Sequence, residues 1–165
     1  MILAQLAKEF AEKRHEGQMY GEHPYTKHLQ DVYDLACKFN LSENVKIAAW
    51  LHDTLEDTKT FTFEIGDNFG TAIEDIVYAV SGYGDNRKQR NADALRKILK
   101  NKEAARLKIC DRIANIVECQ KTDKKRLKMY LKEHNDFSEI CYSLGYEDRF
   151  LIQEYFNLIN HQNLK

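Results

Sequence analysis

Apolar residues recur every three or four positions along almost the whole chain, which is the period of an α-helix and not of a β-strand. A polar turn from Gly17 to Pro24 separates the first two apolar stripes, and the segment 82–90 reads as the most loop-like part of the chain. The pattern predicts helices over 3–11, 29–39, 45–55, 63–69, 71–80, 92–99 and 103–119, then helical stripes over 127–164 broken at Gly145. We therefore expect one all-α domain of eight to ten helices spanning residues 1–165.

Composition agrees with a helical, globular chain. Only one proline and seven glycines punctuate 165 residues, which leaves room for long helices. The net charge of −1 predicts no general attraction to nucleic acid or to an anionic membrane, and no apolar run is long enough to span one. The four cysteines show no CxxC spacing, so we expect buried, reduced thiols and a cytoplasmic protein.

The third predicted helix carries acidic and imidazole groups where apolar residues are expected. His52 and Glu56 continue the stripe that should face the core. Asp53 and Asp57 form a second pair four residues apart, about 100° around the helix axis. Three carboxylates and an imidazole within so short a segment repel one another unless a cation lies among them. The alternative is a solvated helix end with a hydrogen-bonded core histidine.

Two other stripes show the same anomaly. Asp111 interrupts the apolar helix 106–118, and the adjacent Arg112 points elsewhere on a helix, which argues against a simple surface ion pair. His28 lies on a face with Val32. His15 is comparable, but no acidic partner is evident, so we interpret it as a packing residue.

Two imidazoles and two carboxylates, from His28, His52, Asp53 and Asp111, suit a divalent transition ion such as Mn²⁺, Fe²⁺, Co²⁺ or Zn²⁺. Water bound to such an ion is far more acidic than free water, and the nearby acids of the third helix can orient or deprotonate it. The basic loop 82–90 is a candidate clamp for a diphosphate, with a solvated loop as the alternative. Its basic side chains are Arg87, Lys88 and Arg90.

These residues resemble a known family. The order His28, His52-Asp53, Asp111 has the H…HD…D pattern of the HD-domain phosphohydrolases. The resemblance extends to the hydrolase domain of the RelA/SpoT alarmone enzymes and to their small stand-alone relatives, such as the metazoan SpoT homologue. It covers about residues 4–120 and rests on four ordered blocks: AEKRHEGQMYGEHPYTKHLQDV (11–32), AAWLHDTLEDT (48–58), FEIGDNFGTAIEDIVYAVS (63–81) and LKICDRIANI (107–116).

The resemblance implies an all-helical HD domain that hydrolyses the 3′-pyrophosphate of (p)ppGpp, with Mn²⁺ as the usual metal. It implies that the two histidines and two aspartates above bind the metal. It also implies that Glu56 and Asp57 serve the catalytic water and that Asn115 contacts the sugar of the nucleotide. Residues 121–165 lie beyond it, and we expect them to form a helical cover over the core.

One segment departs from the family pattern. Residues 19–23, MYGEH, are one residue shorter than in the family and lack its guanine-packing arginine. Tyr20 is the candidate to stack on a base instead. An HD-type phosphatase of nucleoside 5′-monophosphates or of NADPH therefore stays open. A non-catalytic nucleotide-binding protein is disfavoured because both catalytic acids are present. The expected partner is a small-molecule nucleotide, and the oligomeric state is left open.

Overall fold

The structure is a computed structural model that describes residues 2–163, with side chains as far as residue 161. Residues 1, 164 and 165 lie outside this range. The predicted domain includes all three, and the predicted C-terminal stripe includes residue 164. The described residues form eleven α-helices: α1 (Ile2–Arg14), α2 (Thr26–Lys38), α3 (Glu43–Leu51), α4 (Thr54–Asp57), α5 (Thr62–Phe69), α6 (Thr71–Val80), α7 (Arg87–Ile98), α8 (Lys102–Thr122), α9 (Lys124–Lys132), α10 (His134–Tyr142) and α11 (Arg149–Asn163). A 3₁₀ turn over Tyr146–Asp148 precedes α11. The predicted all-α class is confirmed.

The helix α8 lies at the centre of the molecule. It packs against α2, α3, α6, α9 and α11, and its apolar residues are buried on nearly every side. Leu107, Ile109 and Ile116 are completely buried. A helix enclosed in this way has no solvent face for a charged residue in its middle. Asp111 is therefore carried into the interior, where it is 7% exposed.

Small side chains bring the neighbouring helices together. Ala7 and Ala11 of α1 and Ala48 and Ala49 of α3 are completely buried, and the two helices pack directly against each other. The helix α3 also packs on α2 and α8. The C-terminal end of α3 therefore lies beside the first turns of α2 and the middle of α8. No helix within the described range has the length and apolar character needed to cross a membrane.

The third predicted helix is divided into two in the structure, because α3 ends at Leu51 and α4 begins at Thr54. The His52 Nδ1 atom lies 2.8 Å from the Ala49 carbonyl oxygen, and the Thr54 hydroxyl donates to the Leu51 carbonyl at 2.6 Å. Side-chain donors thus bond the carbonyls of the last turn in competition with the backbone ladder. The prediction of one continuous helix was wrong at this point.

Two predicted connections also differ from the structure. The turn 17–24 contains a small antiparallel hairpin of strands β1 (Met19–Tyr20) and β2 (His23–Pro24), and Pro24 ends the second strand two residues before α2 begins. The predicted loop 82–90 is shorter than expected, because α7 already begins at Arg87. The Asn86 side chain caps α7 by accepting the Gln89 amide proton at 3.1 Å.

Candidate metal centre and its surroundings

Four polar side chains from three separate parts of the chain meet in the interior. His28 lies on α2, His52 and Asp53 follow α3, and Asp111 lies on α8; we call these four residues the His–Asp cluster. The two Nε2 atoms are 3.3 Å apart. His28 Nε2 lies 3.5 Å from Asp53 Oδ2 and 3.2 Å from Asp111 Oδ1. His52 Nε2 lies 3.0 Å and 3.7 Å from the same two oxygens.

The cluster has the dimensions of a metal coordination shell. Ligand atoms about 2.1 Å from an ion lie roughly 3.0 Å apart in an octahedron and roughly 3.4 Å apart in a tetrahedron. Four of the five separations given above run from 3.0 to 3.5 Å, close to these values, and the fifth, from His52 Nε2 to Asp111 Oδ1, is 3.7 Å. His28, His52 and Asp53 alone can each direct one ligand atom to a common point. The residues present therefore fit a divalent transition ion.

The backbone fixes which His52 nitrogen faces the cluster. Its Nδ1 donates to the Ala49 carbonyl oxygen, so Nε2 carries the lone pair that a metal requires. The His28 Nδ1 atom is buried and has no hydrogen-bond partner among the described residues, whereas its Nε2 lies in the cluster. Both imidazoles thus direct Nε2 to the same point.

The electrostatics of the cluster are those of a cation site. Burial alone would lower the pKa of His52, but Asp53 and Asp111 outweigh burial and raise that pKa well above its usual value. The pKa of His28 is raised in the same way. Conversely, burial would raise the pKa of Asp53, but both imidazoles hold it well below the usual range. Two carboxylates therefore stay charged here and demand positive charge, from protons or from a metal.

The hydroxyl of Tyr25 links the cluster to Asp57. It donates to Asp53 Oδ2 at 2.6 Å and lies 3.0 Å from Asp57 Oδ2. Burial and the two carboxylates raise the pKa of Tyr25, so the hydroxyl keeps its proton. The sequence pattern did not single out Tyr25, which lies one turn before His28. His15 packs on the Tyr25 ring, with centroids 4.6 Å apart, and lies outside the cluster as predicted.

Asn115 and Tyr20 also contact the cluster. The Asn115 amide donates to the Asp111 carboxylate, and its oxygen accepts the Tyr20 hydroxyl proton at 3.0 Å. The Tyr20 ring stacks on His28 with centroids 4.8 Å apart and is 8% exposed. Both predicted substrate residues thus lie against the His–Asp cluster. One face of Tyr20 is occupied by His28 and is closed to a base.

Glu56 accepts a hydrogen bond from a residue outside its own helix. Its Oε1 accepts the Gly82 amide proton at 2.6 Å, while the residue stays accessible to solvent. Burial of its carboxyl group is the largest influence on the pKa of Glu56 and raises it, although Lys108 and the Gly82 amide act in the other direction. Glu56 follows Asp53 by one turn. A carboxylate of raised basicity is therefore fixed beside the His–Asp cluster.

The three predicted basic residues of the 82–90 segment differ in their surroundings. Arg87 forms a forked ion pair with Glu133, with Nε–Oε1 and Nη2–Oε2 distances of 2.7 and 3.0 Å. Arg90 donates to the Gly84 carbonyl at 3.4 Å, and Lys88 is exposed. They lie in or next to the first turn of α7 and not in one extended loop.

Lys108 is a second site residue that the sequence analysis did not identify. Its ammonium lies 3.0 Å from Asp111 Oδ2 and is half-buried. Burial would lower the pKa of Lys108, but Asp111, Asp53 and Glu56 raise it, so the amine stays protonated. The spacing of three residues between Lys108 and Asp111 on one helix was the available signal.

The fold and this cluster define the class of protein: the chain belongs to the HD domain family, whose profile matches residues 7–137. A guanosine-3′,5′-bis(diphosphate) 3′-pyrophosphohydrolase of Aquifex aeolicus is 34% identical over 149 residues, which are 86% of this chain and 21% of that protein. The enzyme of the same name from Spiroplasma citri is 30% identical over 156 residues, covering 86% of this chain and 20% of its own length. The chain thus spans about a fifth of these curated relatives.

Two solved structures share the fold. A metazoan orthologue of SpoT, described as hydrolysing ppGpp and as having a role in starvation responses, superposes with a TM-score of 0.86 at 19% identity. That match covers 100% of this chain and 98% of the orthologue. A Listeria monocytogenes protein superposes with a TM-score of 0.67 at 20% identity, covering 86% of this chain and 98% of that protein. At these identities the likeness concerns the fold.

Proposed function

We propose that this chain is a metal-dependent phosphohydrolase that removes the 3′-pyrophosphate of (p)ppGpp or of a closely related nucleotide. The observation that carries the proposal is the convergence of two imidazoles and two carboxylates, with a held glutamate, Glu56, one turn beyond them. Membership of the HD domain family and the names of the bacterial relatives support the reaction and the substrate class. We further propose Mn²⁺ as the ion and the cytoplasm as the setting, where free cysteines stay reduced.

The His–Asp cluster would hold the ion, which would supply positive charge for the phosphoryl group and make water more acidic. Asn115 orients the Asp111 carboxylate, and the Tyr25 hydroxyl orients the Asp53 carboxylate. These contacts keep the ligand atoms in place before substrate binds. In metal sites, substituting residues that orient the ligands in this way lowers metal affinity or activity.

Glu56 is the proposed general base. Its carboxylate takes a proton from the attacking water as the water oxygen bonds to the phosphorus next to the ribose 3′-oxygen. The bond between that phosphorus and the 3′-oxygen breaks, and the 3′-oxygen takes up a proton. The products from ppGpp are GDP and pyrophosphate. The raised pKa of Glu56 brings its basicity closer to that needed near neutral pH.

Asp57 has a supporting role in this scheme. Its carboxylate shares the Tyr25 hydroxyl with Asp53, so it lies close to Asp53 on the exposed side of α4. We propose that Asp57 accepts a hydrogen bond from the attacking water and thereby orients it. Asn115 remains the proposed contact to the sugar, and Arg87, Lys88 and Arg90 remain the proposed contacts to the phosphates.

A second candidate is an enzyme of the same chemistry with a different nucleotide. The hairpin over residues 19–24 lacks an arginine, and the Tyr20 ring is packed on His28 and not open to a base. Both observations favour a pocket that selects the phosphates more strongly than guanine. Candidate substrates of this kind are the adenine counterpart of ppGpp, NADPH and nucleoside 5′-monophosphates.

A nucleotide panel tests the proposal. Protein stripped of metal and reloaded with Mn²⁺ is incubated with ppGpp, pppGpp, the adenine counterpart, NADPH and 5′-monophosphates, and the products are separated by chromatography. We expect ppGpp to be cleaved with Mn²⁺ and spared without it. Cleavage of 5′-monophosphates with ppGpp untouched would replace the first candidate by the second. Failure of all substrates, with metal confirmed in the protein, would contradict both.

A further inference from the structure

The peptide unit between Ser81 and Gly82 is bonded at both ends to charged side chains. Its N–H, on Gly82, donates to Glu56 at 2.6 Å. Its carbonyl, on Ser81, accepts a hydrogen bond from the Lys97 ammonium. A peptide group is a delocalised dipole, so a cation at the oxygen strengthens the hydrogen bond made by the nitrogen. One peptide therefore couples a lysine of α7 to a carboxylate of α4.

Lys97 is held in one place by its surroundings. The residue is only 7% exposed, and its ammonium pairs with Asp93 at 2.7 Å. It also lies over the rings of Tyr78 and Tyr83, 4.4 and 4.6 Å from their centroids. Lysine is rarely buried unless its charge is compensated, and here a carboxylate, a carbonyl and two aromatic faces compensate it. The ammonium cannot leave this position without losing all four.

The loop that carries the peptide is fitted closely to α7. Asp93 accepts the Tyr83 amide proton at 3.2 Å, so the same carboxylate bonds both the loop and Lys97. A Cβ atom at Gly82 would lie 2.4 Å from the Arg90 carbonyl oxygen. Only glycine allows this approach of loop and helix. The direction of the Gly82 N–H is thereby set by α7.

We propose that Lys97 is a positioning residue for the hydrolytic step, acting on Glu56 through the Ser81–Gly82 peptide. The inference rests on the function proposed above, in which Glu56 is the base. Lys97 touches neither Glu56 nor the His–Asp cluster in the contacts described, so it is distinct from the metal-binding and acid–base residues. Its effect is to hold the carboxylate in one orientation and to strengthen the hydrogen bond that favours the charged form.

Other charged groups also face Glu56 and influence the pKa of its carboxyl group. Lys108 faces it from α8 and favours the carboxylate, whereas Asp53 and Asp57 lie on its own segment and disfavour it. Tyr83 approaches from the loop, and burial together with neighbouring groups that include Glu56 raises the pKa of Tyr83. None of these groups is removed by a change at Lys97. A shift in the pH profile after such a change therefore reports the peptide coupling.

The kinetic test compares Lys97→Met with Lys97→Arg and with Lys100→Met, which removes an exposed lysine of the same segment. We expect Lys97→Met to lower kcat about 10-fold with KM within about 3-fold, as for loss of orientation without loss of binding. The acid limb of its pH profile should move to higher pH, because the carboxylate loses stabilisation. Lys97→Arg should restore part of kcat, and Lys100→Met should behave as wild type.

A double-mutant cycle separates coupling from general damage. In a Glu56→Gln background, Lys97→Met should change kcat by less than about 2-fold, because the group it acts on is already absent. An undiminished 10-fold decrease in that background would overturn the proposal. If Lys97→Met does not fold, the nearly isosteric Asp93→Asn takes its place. We expect it to lower kcat and to move the acid limb in the same direction, by smaller amounts.

A readout without turnover distinguishes this inference from the proposed function. In ¹H–¹⁵N spectra of the metal-free protein, the Gly82 amide proton should follow the titration of Glu56, and this response should vanish in Glu56→Gln. In Lys97→Met the Gly82 signal should move upfield and its midpoint to higher pH. If these shifts occur while wild type cleaves no nucleotide, the coupling stands and the proposed function fails. A Gly82 signal unaffected by Lys97→Met would refute the coupling whatever the activity.

Discussion

At the scale of single residues, the candidate site depends on polar groups that a core would otherwise exclude. His28, His52 and Asp111 are each less than a tenth exposed. These three were predictable because each interrupts an apolar stripe. Tyr25 was not predictable in this way, because an aromatic residue on an apolar face is ordinary and its role comes from a hydroxyl contact across helices.

Replacing Glu56 by Gln tests the acid–base role with little change of shape. The amide oxygen can still accept the Gly82 proton, so we expect fold and metal content to be unchanged. Turnover should fall about 10²-fold or more, the usual size of a lost acid–base group. The measurement is kcat with metal content by atomic absorption, and the exposed Glu16→Gln is the control. Wild-type turnover in Glu56→Gln would remove this residue from the mechanism.

The pH dependence of stability tests the electrostatics of the cluster. The raised pKa values of His28 and His52 stabilise metal-free protein fully below about pH 6.5, and that stabilisation is lost as pH rises through the raised values. The lowered pKa of Asp53 contributes stability above about pH 4, which is lost as pH falls through the lowered value. The unfolding free energy of metal-free protein should therefore decrease from pH 6.5 to 8.5.

Urea unfolding with and without Mn²⁺ measures this effect. Mn²⁺ should restore stability above pH 6.5, because the metal replaces the protons among the carboxylates. His23→Gln, which changes an exposed histidine outside the cluster, should leave the profile unchanged. Metal-free stability that is constant or rising over this interval would show that the imidazoles are not paired with the carboxylates.

At the scale of elements, the helical period predicted most helices but not their ends at the site. The break between α3 and α4 depends on His52 and Thr54 bonding backbone carbonyls, which periodicity does not report. The early start of α7 depends on the Asn86 cap, in a segment where glycines and charges suggested a loop. In both places the ends are set by side-chain contacts and not by apolar spacing.

The close approach of Gly82 to α7 gives a prediction at this scale. In Gly82→Ala the new methyl group meets the Arg90 carbonyl, so the loop must move away from α7 and from Glu56. We expect about 1–3 kcal/mol lower stability and roughly 10-fold lower kcat. Thermal unfolding and steady-state kinetics measure the two effects. Gly145→Ala is the control, because its Cβ meets only the flexible Glu147 carboxylate. Equal behaviour of both variants would contradict this account of the loop.

At the scale of the whole molecule, the fold brings three of the four sequence blocks against the fourth, which lies on the central helix α8. The family resemblance identified those blocks by their order, and in the structure α2, α3 and α8 pack on one another. The role of Lys97 needed coordinates, because it depends on a contact with the Ser81 carbonyl that neither apolar spacing nor chain order reveals. The C-terminal helices α10 and α11, whose sequences carry apolar stripes, pack on α8.

The most direct test of the central claim is the fate of ppGpp in ¹⁸O-labelled water with Mn²⁺-loaded protein, followed by mass spectrometry of the products. The account predicts unlabelled GDP and pyrophosphate carrying one ¹⁸O atom, because water attacks the phosphorus next to the ribose 3′-oxygen. Release of orthophosphate, label in GDP, or intact ppGpp under conditions where the metal is bound would contradict it.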